Sequence, residues 1–337
     1  MTELFKYRLS QKSFSMVQTM EFVAVTPEHA KVYSWAGVDS TLPKEPLLTI
    51  PSNGPKESLA TFSADGKRFA LVSEGDVHIY DASNKYKEVC VIQSQCDSGG
   101  VRGFYFSPLG TYVVAWEWFN KNDEKKNLIL WDAETAEKLG EWKKKEKTQV
   151  CWPPIQWTED EQFAFRLTTG KVMKMLSKDF VAGNDGSAEK LKPDNVAGFR
   201  VSPSNDDGAN VACFTYEIKG IPAHVKIVPV RNVKQETARK NFFNAQTASM
   251  MWNKNGTGLL VKADTDKDVT GQSYYGTTTL YFLRADGQND ACLRNANDGQ
   301  MHAVAWSPTN NEFAMVIGNW PAEVGVYNGS SGNKIRG

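Results

Sequence analysis

The chain has 337 residues, of which 41% are hydrophobic and 23% charged, and its 39 basic and 39 acidic side chains cancel to zero net charge. This composition is typical of a folded globular protein and excludes disordered and collagen-like chains. It also excludes nucleic-acid binding by bulk charge, which needs a strongly basic domain, so any such contact must come from local basic patches.

The cysteines and the lack of apolar segments indicate the compartment. The five cysteines are scattered and form no Cys-x-x-Cys pair, which argues against zinc ribbons and thioredoxin-like redox sites. Residues 1–18 carry charges throughout and do not resemble a signal peptide. No apolar stretch approaches the roughly 20 residues that span a bilayer. We therefore predict a soluble cytoplasmic protein with reduced thiols and no membrane partner.

The first 54 residues contain three strand-like apolar runs, near 17–24, 31–35 and 47–51. Their β-branched and aromatic residues favour strands over helices. Three short strands are fewer than the repeating unit described below contains. Residues 1–54 therefore predict an incomplete sheet at the start of the chain.

From about residue 56 a short pattern recurs six times: an apolar strand ends in an aromatic or valine anchor, and a polar turn follows. Ser-Pro, Asp-Gly and Asn-Gly in these turns suit the backbone angles of a tight turn. The anchors lie 44 to 54 residues apart, slightly more than the roughly 40 to 45 residues of a WD40 blade. They are Phe62, Phe106, Trp157, Val201, Trp252 and Trp306.

Each unit continues with further apolar strands after its turn. Second strands are predicted at 68–72, 112–116, 162–165, 211–214, 259–261 and 312–317. Third strands are predicted at 77–81, 128–132, 279–282 and 324–327, and a more polar fourth strand at 137–142. The last unit lacks a convincing fourth strand after Asn333, and the best short helical candidate is 235–240.

Four antiparallel strands per unit, repeated along the chain, are typical of a β-propeller. We predict an all-β fold, a WD40-like β-propeller of about six to seven four-stranded antiparallel blades in a single domain over residues 1–337. Residues 1–54 would supply the strands of a partial or closing blade, and residues 55–337 six repeat units. Two arrangements stay open: the N-terminal strands close the ring, or the ring is incomplete.

The motifs of common enzymes and cofactor sites are missing from the sequence. It contains no Gly-x-Ser-x-Gly elbow, P-loop, His-Glu-x-x-His or Gly-x-Gly-x-x-Gly pattern. The run 264–268 begins like a calcium loop, but the positions that need Gly and Glu hold Val269 and Tyr275. We predict a non-catalytic protein with no cofactor and no metal.

Basic clusters are the best candidates for contacts with RNA, because lysine and arginine on loops can bind phosphates. Most such clusters are simply solvated faces. The exposed pair Tyr274–Tyr275, on a long predicted hairpin, could stack on a base or fold back on its own blade. The candidate contacts are Arg231, Lys234, Arg239, Lys240, Lys143, Lys144, Lys145, Lys147, Tyr274 and Tyr275.

Several segments resemble a known family. The stretch from Phe242 to Val261, followed by 263–276 with its Ser-Tyr-Tyr-Gly sequence, closely resembles eukaryotic translation initiation factor 2A, the single-chain factor. Further similarity lies at 151–153, at 157–161 and at 303–306. The resemblance runs from about residue 56 to the C-terminus, with a looser N-terminal segment.

This resemblance implies a large N-terminal propeller, nine-bladed in the family, and a C-terminal tail, of which the last blades and the tail are not in this chain. It implies association with the small (40S) ribosomal subunit and GTP-independent delivery of methionyl initiator tRNA. It also implies contacts with mRNA and with other initiation factors, and the family links RNA binding to the tail.

Two other functions compete with this one. A WD40-type protein–protein adaptor would share the fold, although the Gly-His dipeptide usual in WD40 units is missing. The propeller of the scaffold subunit of initiation factor 3 is distantly similar, but the 54 residues before the repeats leave no room for the RNA-recognition motif of that subunit. A propeller hydrolase is disfavoured by the missing nucleophile motifs.

Overall fold

The computed structural model describes residues 6–10, 19–26, 28–36, 41, 43–51, 59–95, 99–119, 125–145, 152–218, 220–242, 245, 247–265, 278–294, 301–318 and 321–337. Within them, 28 strands form seven four-stranded sheets, in each of which consecutive strands pair antiparallel in chain order. This confirms the prediction of an all-β chain built of four-stranded antiparallel blades, and we number the sheets as blades 1 to 7.

The strands of the first four blades have the following bounds. Blade 1 contains β1 (Lys6–Ser10), β2 (Thr19–Val25), β3 (His29–Trp35) and β4 (Leu48–Pro51). Blade 2 contains β5 (Ala60–Phe62), β6 (Arg68–Ser73), β7 (Asp76–Asp81) and β8 (Lys87–Ile92). Blade 3 contains β9 (Val101–Phe106), β10 (Tyr112–Glu117), β11 (Leu128–Asp132) and β12 (Lys138–Trp142). Blade 4 contains β13 (Ile155–Trp157), β14 (Phe163–Thr168), β15 (Lys171–Leu176) and β16 (Glu189–Lys190).

The remaining three blades follow the same plan. Blade 5 contains β17 (Val196–Val201), β18 (Asn210–Thr215), β19 (Ala223–Pro229) and β20 (Ala238–Phe242). Blade 6 contains β21 (Thr247–Trp252), β22 (Gly258–Asp264), β23 (Thr278–Arg284) and β24 (Asp290–Arg294). Blade 7 contains β25 (Met301–Trp306), β26 (Glu312–Ile317), β27 (Glu323–Asn328) and β28 (Lys334–Arg336). A short helix α1 (Ser177–Val181) and a 3-10 turn (Asp185–Ser187) join β15 to β16.

Three local predictions were wrong. The N-terminal segment forms a complete blade, because the polar strand β1 pairs with β2 from Lys6 opposite Val23 to Ser10 opposite Thr19. Blade 7 does have a fourth strand, β28, which pairs with β27 although all three of its residues are exposed. The helical candidate 235–240 instead leads into β20, and the α-helix of the described residues is α1.

The chain divides into two compact units. Unit 1 comprises Met1–Glu146 with Val181–Gly183, and unit 2 comprises Lys147–Phe180 with Asn184–Gly337. In unit 1, apolar faces pack blade 1 on blade 2 and blade 2 on blade 3. In unit 2, the same packing joins blades 4 and 5, blades 5 and 6, and blades 6 and 7. A single domain over the whole chain stays a prediction.

A buried polar side chain closes the first turn of five successive blades, directly after the aromatic or valine anchor. In blade 3, the Ser107 N–H donates to Tyr112 O at 2.9 Å, and the Tyr112 N–H donates back to Ser107 Oγ at 2.9 Å. A residue with positive φ, usually glycine such as Gly110 at 77°, completes the turn. Each of these polar residues is at least 96% buried. They are Ser63, Ser107, Thr158, Ser202 and Asn253.

Replacing one of these hydroxyls should destabilise its blade. Ser107→Ala leaves the Tyr112 N–H without its acceptor in a part-buried site, which costs about 1–3 kcal/mol of unfolding free energy. Ser307→Ala is the matched control, because the Ser307 hydroxyl accepts from Thr309 and Asn310 in an exposed turn that water can reach. The control should stay within about 0.5 kcal/mol of the wild type. Urea denaturation followed by circular dichroism measures both, and equal effects would contradict this role of the buried hydroxyl.

Candidate nucleic-acid interface

A cluster of three lysines lies on the surface of unit 2, where blade 4 meets the loop between β19 and β20. Leu191 and Val233 are buried in the apolar core between blades 4 and 5. The lysines next to these two residues in the chain are exposed, Lys190 and Lys192 on either side of Leu191 and Lys234 in the turn after Val233. We call this surface the lysine patch, and it consists of Lys190, Lys192 and Lys234.

Two hydrogen bonds, one of them between backbone groups, hold the two segments of the lysine patch together. The Lys192 N–H donates to Val233 O at 2.9 Å, and Lys234 Nζ donates to Lys190 O at 3.0 Å. Residue Lys190 also pairs with Met173 in the short ladder between β15 and β16. The three ammonium groups are therefore carried by a fixed backbone and not by a free loop.

The acids beside the lysine patch are each engaged by another lysine. Glu189 pairs with Lys174 at 3.2 Å, and Lys174 also lies 4.4 Å from the centre of the Phe163 ring. Asp194 pairs with Lys171. Among the residues that the structure describes, no carboxylate pairs with the ammonium groups of the lysine patch. These three positive charges are therefore available to an anionic partner.

The four candidates between 231 and 240 do not form one surface. Arg231 is exposed and pairs with Asp207 at 3.3 Å, and Lys234 belongs to the lysine patch. Arg239, on the outer strand β20, is exposed and donates from Nε to Asn241 Oδ1 at 3.0 Å. Lys240 is 24% exposed and its charge pairs with Asp290 of blade 6, which makes it a bridge between blades.

The basic run in unit 1 is held in place by one buried side chain. The Asn127 side-chain amide donates to Lys144 O and accepts from the Lys144 N–H, both at 2.8 Å, as a neighbouring strand would. Lys143 and Lys145 are exposed on either side. Lys147, Tyr274 and Tyr275 lie outside the described residues, so their role stays a prediction.

His224 lies on the outer part of blade 5, near the Arg239 candidate. Its Nδ1 lies 3.0 Å from Pro222 O, as a donor in the matching tautomer. Burial is the largest cause of the lowered pKa of His224; the contact with Pro222 O opposes it, and the charges of Arg239 and Lys226 lower the pKa further. The fold therefore favours the neutral form of this imidazole relative to the unfolded chain.

Two classes of site were searched for in the described part of the chain. There, no group of three or more His, Cys, Asp and Glu side chains is placed to hold a metal ion. No helix among those residues is long and apolar enough to cross a membrane.

Sequence reasoning missed Lys190 and Lys192 because the acids Glu189 and Asp194 lie close to them in the sequence. The sequence does not show that Lys174 and Lys171 pair with these acids in the fold. It also missed Trp118, an exposed tryptophan directly after β10. The Trp116-Glu-Trp118 alternation offered a signal, since two aromatic residues separated by one position in a strand point to the same face.

Comparison with known proteins relates the chain to a translation factor. The family model described as eukaryotic translation initiation factor eIF2A matches residues 240–336. A Schizosaccharomyces pombe protein named eukaryotic translation initiation factor 2A is 32% identical over 271 residues, which cover 79% of this chain and 44% of that protein. The chain belongs to the eukaryotic translation initiation factor 2A family. It spans less than half the length of the curated family members it matches.

Two further matches bear on the fold and on the alternatives. The crystal structure of a eukaryotic initiation factor superposes with a TM-score of 0.67 at 23% identity, covering 99% of this chain and 73% of that one. At this identity the match concerns the fold, and it supports the WD40-like β-propeller prediction for this family member. A Schizosaccharomyces pombe protein named as a subunit of eukaryotic translation initiation factor 3 is 25% identical over 244 residues, 64% of this chain and 33% of that protein. The distant similarity to the scaffold subunit of that factor is thus confirmed.

The lowered pKa of His224 predicts a contribution to acid sensitivity. In the unfolded chain an imidazole titrates near pH 6.5, above its pKa in the fold, so the unfolded state binds more protons as the pH falls through this range. Stability should therefore decrease on acidification from about pH 7.5 to about pH 5.5. The His224→Gln variant, which keeps a donor for Pro222 O, should lose less stability over the same range.

Urea denaturation at both pH values measures this difference. His29→Gln, which removes an exposed histidine from blade 1, controls for the loss of an imidazole as such. If the free energy of unfolding of His224→Gln depends on pH as that of the wild type does, the imidazole of His224 does not contribute to the acid sensitivity.

Proposed function

We propose that this chain is a non-catalytic propeller scaffold of translation initiation that docks on the small (40S) ribosomal subunit. Membership of the initiation factor 2A family supports a role in translation initiation. The lysine patch is the surface that we propose contacts the ribosomal subunit. Its three exposed lysines lie on a fixed backbone, and the acids beside them are engaged elsewhere.

The chemistry of the lysine patch suits ribosomal RNA. Lysine binds phosphate as a compact point charge, and each phosphate contact releases a counterion from the RNA. Because the whole chain has no net charge, attraction to RNA is limited to such local surfaces. A few contacts of this kind, on segments held together by hydrogen bonds, favour one orientation on a large partner over general adhesion to RNA.

The proposal extends to GTP-independent delivery of methionyl initiator tRNA, with mRNA and other initiation factors as further partners. In this scheme the propeller contributes the ribosome contact. Contacts with tRNA and mRNA are then shared with parts of the longer family proteins that this chain does not span.

A protein–protein adaptor is the second candidate, and one observation favours it. The hairpin between β18 and β19 exposes three apolar side chains, at 40% for Tyr216, 43% for Ile218 and 54% for Ile221. Two backbone hydrogen bonds between the isoleucines, at 3.0 and 2.9 Å, shape the hairpin. An apolar tip of this kind suits a groove on a protein partner better than a phosphate backbone.

Co-sedimentation with purified 40S subunits across a salt series tests the docking surface. The Lys190→Glu/Lys192→Glu/Lys234→Glu variant should bind roughly tenfold more weakly or worse at low salt, and its dependence on salt should be shallower. The Lys87→Glu/Lys254→Glu/Lys334→Glu variant is the matched control, with the same change in charge at exposed lysines on three other blades.

Equal loss of binding in the two variants would mean that only net charge matters, and the lysine patch would not be the docking surface. The adaptor function would be favoured by a different pair of results. The lysine patch variant would bind 40S subunits like the wild type, and the hairpin variant Ile218→Ser/Ile221→Ser would fail to co-sediment with them. Circular dichroism of each variant confirms that the blades remain folded.

A further inference from the structure

An exposed aromatic side chain lies beside the basic run of unit 1. Trp118 directly follows β10 and is 53% exposed. Its ring meets the ring of Trp116 edge to face, with centroids 5.3 Å apart and an interplanar angle of 63°. Trp116 is itself buried at 3% exposure, so it supports the Trp118 indole from the core.

The same buried tryptophan connects this aromatic surface to the lysines. Trp116 Nε1 donates to Lys144 O at 3.3 Å, and the side chain of Asn127 binds both the N–H and the carbonyl of Lys144. Asn127 Nδ2 also donates to Glu117 O at 2.8 Å, next to Trp118 in the chain. One buried amide therefore fixes the indole-bearing segment and the lysine-bearing segment against each other.

Among the described residues, the acids near this surface are engaged by groups other than Lys143 and Lys145. Glu141 pairs with Lys138 at 3.0 Å and with Lys126 at 3.5 Å, and the hydrogen bond from Lys138 is the largest of the effects that lower the pKa of Glu141. The buried Glu117 carboxylate accepts from Ser94 Oγ and from the Gln95 N–H. Within the described residues, no carboxylate pairs with the ammonium groups of Lys143 or Lys145.

We propose that Trp118, Lys143 and Lys145 form a binding site for single-stranded RNA, in which an unpaired base stacks on the Trp118 indole and the two lysines contact the flanking phosphates. Exposed aromatic rings combined with cations along a groove are the usual means of binding single strands. Duplex RNA hides its base faces in the stack, so the site selects unpaired segments. The site is separate from the lysine patch and does not require docking through it.

Binding of a short fluorescein-labelled oligouridine, followed by anisotropy at two salt concentrations, tests the site. Trp118→Ala should weaken binding about ten- to a hundredfold, the loss expected for one stacked base, with little change in salt dependence. Lys143→Glu/Lys145→Glu should weaken binding and also make the salt dependence shallower. Trp118→Phe should restore most of the affinity, because a phenyl ring still stacks.

Tryptophan fluorescence gives a second readout that a merely structural role would not change. Oligouridine should quench part of the wild-type emission, and that part should be missing in Trp118→Phe although the RNA still binds. Val324→Ala, which truncates an equally exposed apolar side chain of blade 7, should bind like the wild type.

Four results would overturn the site. They are Trp118→Ala binding within twofold of the wild type, equal affinity for duplex RNA, equal affinity for an oligoglutamate peptide, which would indicate a protein partner, and quenching that persists in Trp118→Phe. The Lys190→Glu/Lys192→Glu/Lys234→Glu variant should keep its oligouridine affinity, so failure of ribosome docking and failure of this site are distinguishable.

Discussion

The buried polar residue that closes the first turn of blades 2 to 6 is the constraint on which the other features depend. Its backbone and side chain both bond to the first residue of the second strand, as Ser107 does with Tyr112. This fixes where the second strand begins and therefore which of its residues face the neighbouring blade. The cores between blades are built from those faces, so in each of these five blades one hydroxyl or amide helps to fix which residues pack against the neighbouring blades.

The candidate surfaces follow from that register. Leu191 and Val233 enter the core between blades 4 and 5, while their lysine neighbours remain exposed. Ion pairing then decides which charges remain available. Lys240 is engaged by Asp290, whereas Lys190 and Lys192 have no acidic partner among the described residues, although all three are lysines on or beside a fourth strand.

Much of the fold could be predicted because the repeat is a local signal. The second strands of blades 2 to 7 and the turn residues lie where the pattern places them. β1 and β28 were missed because they are short: Lys6–Ser10 contains two apolar residues and Lys334–Arg336 contains one, too few for the alternating pattern to stand out in the sequence. The site was less predictable: Asp290, which engages Lys240, lies 50 residues further along the chain, and Asn127, which orders Lys143–Lys145, is an ordinary asparagine in the sequence.

A chain with no net charge gains little from long-range attraction to RNA. Its binding must therefore depend on particular side chains at particular surfaces. The two surfaces differ in this respect. The lysine patch offers point charges and so suits a phosphate backbone. The Trp118 surface adds a stacking face supported from the core, which only an unpaired base can cover. The two surfaces would therefore recognise different features of an RNA: its phosphates at the lysine patch, and an unpaired base at Trp118.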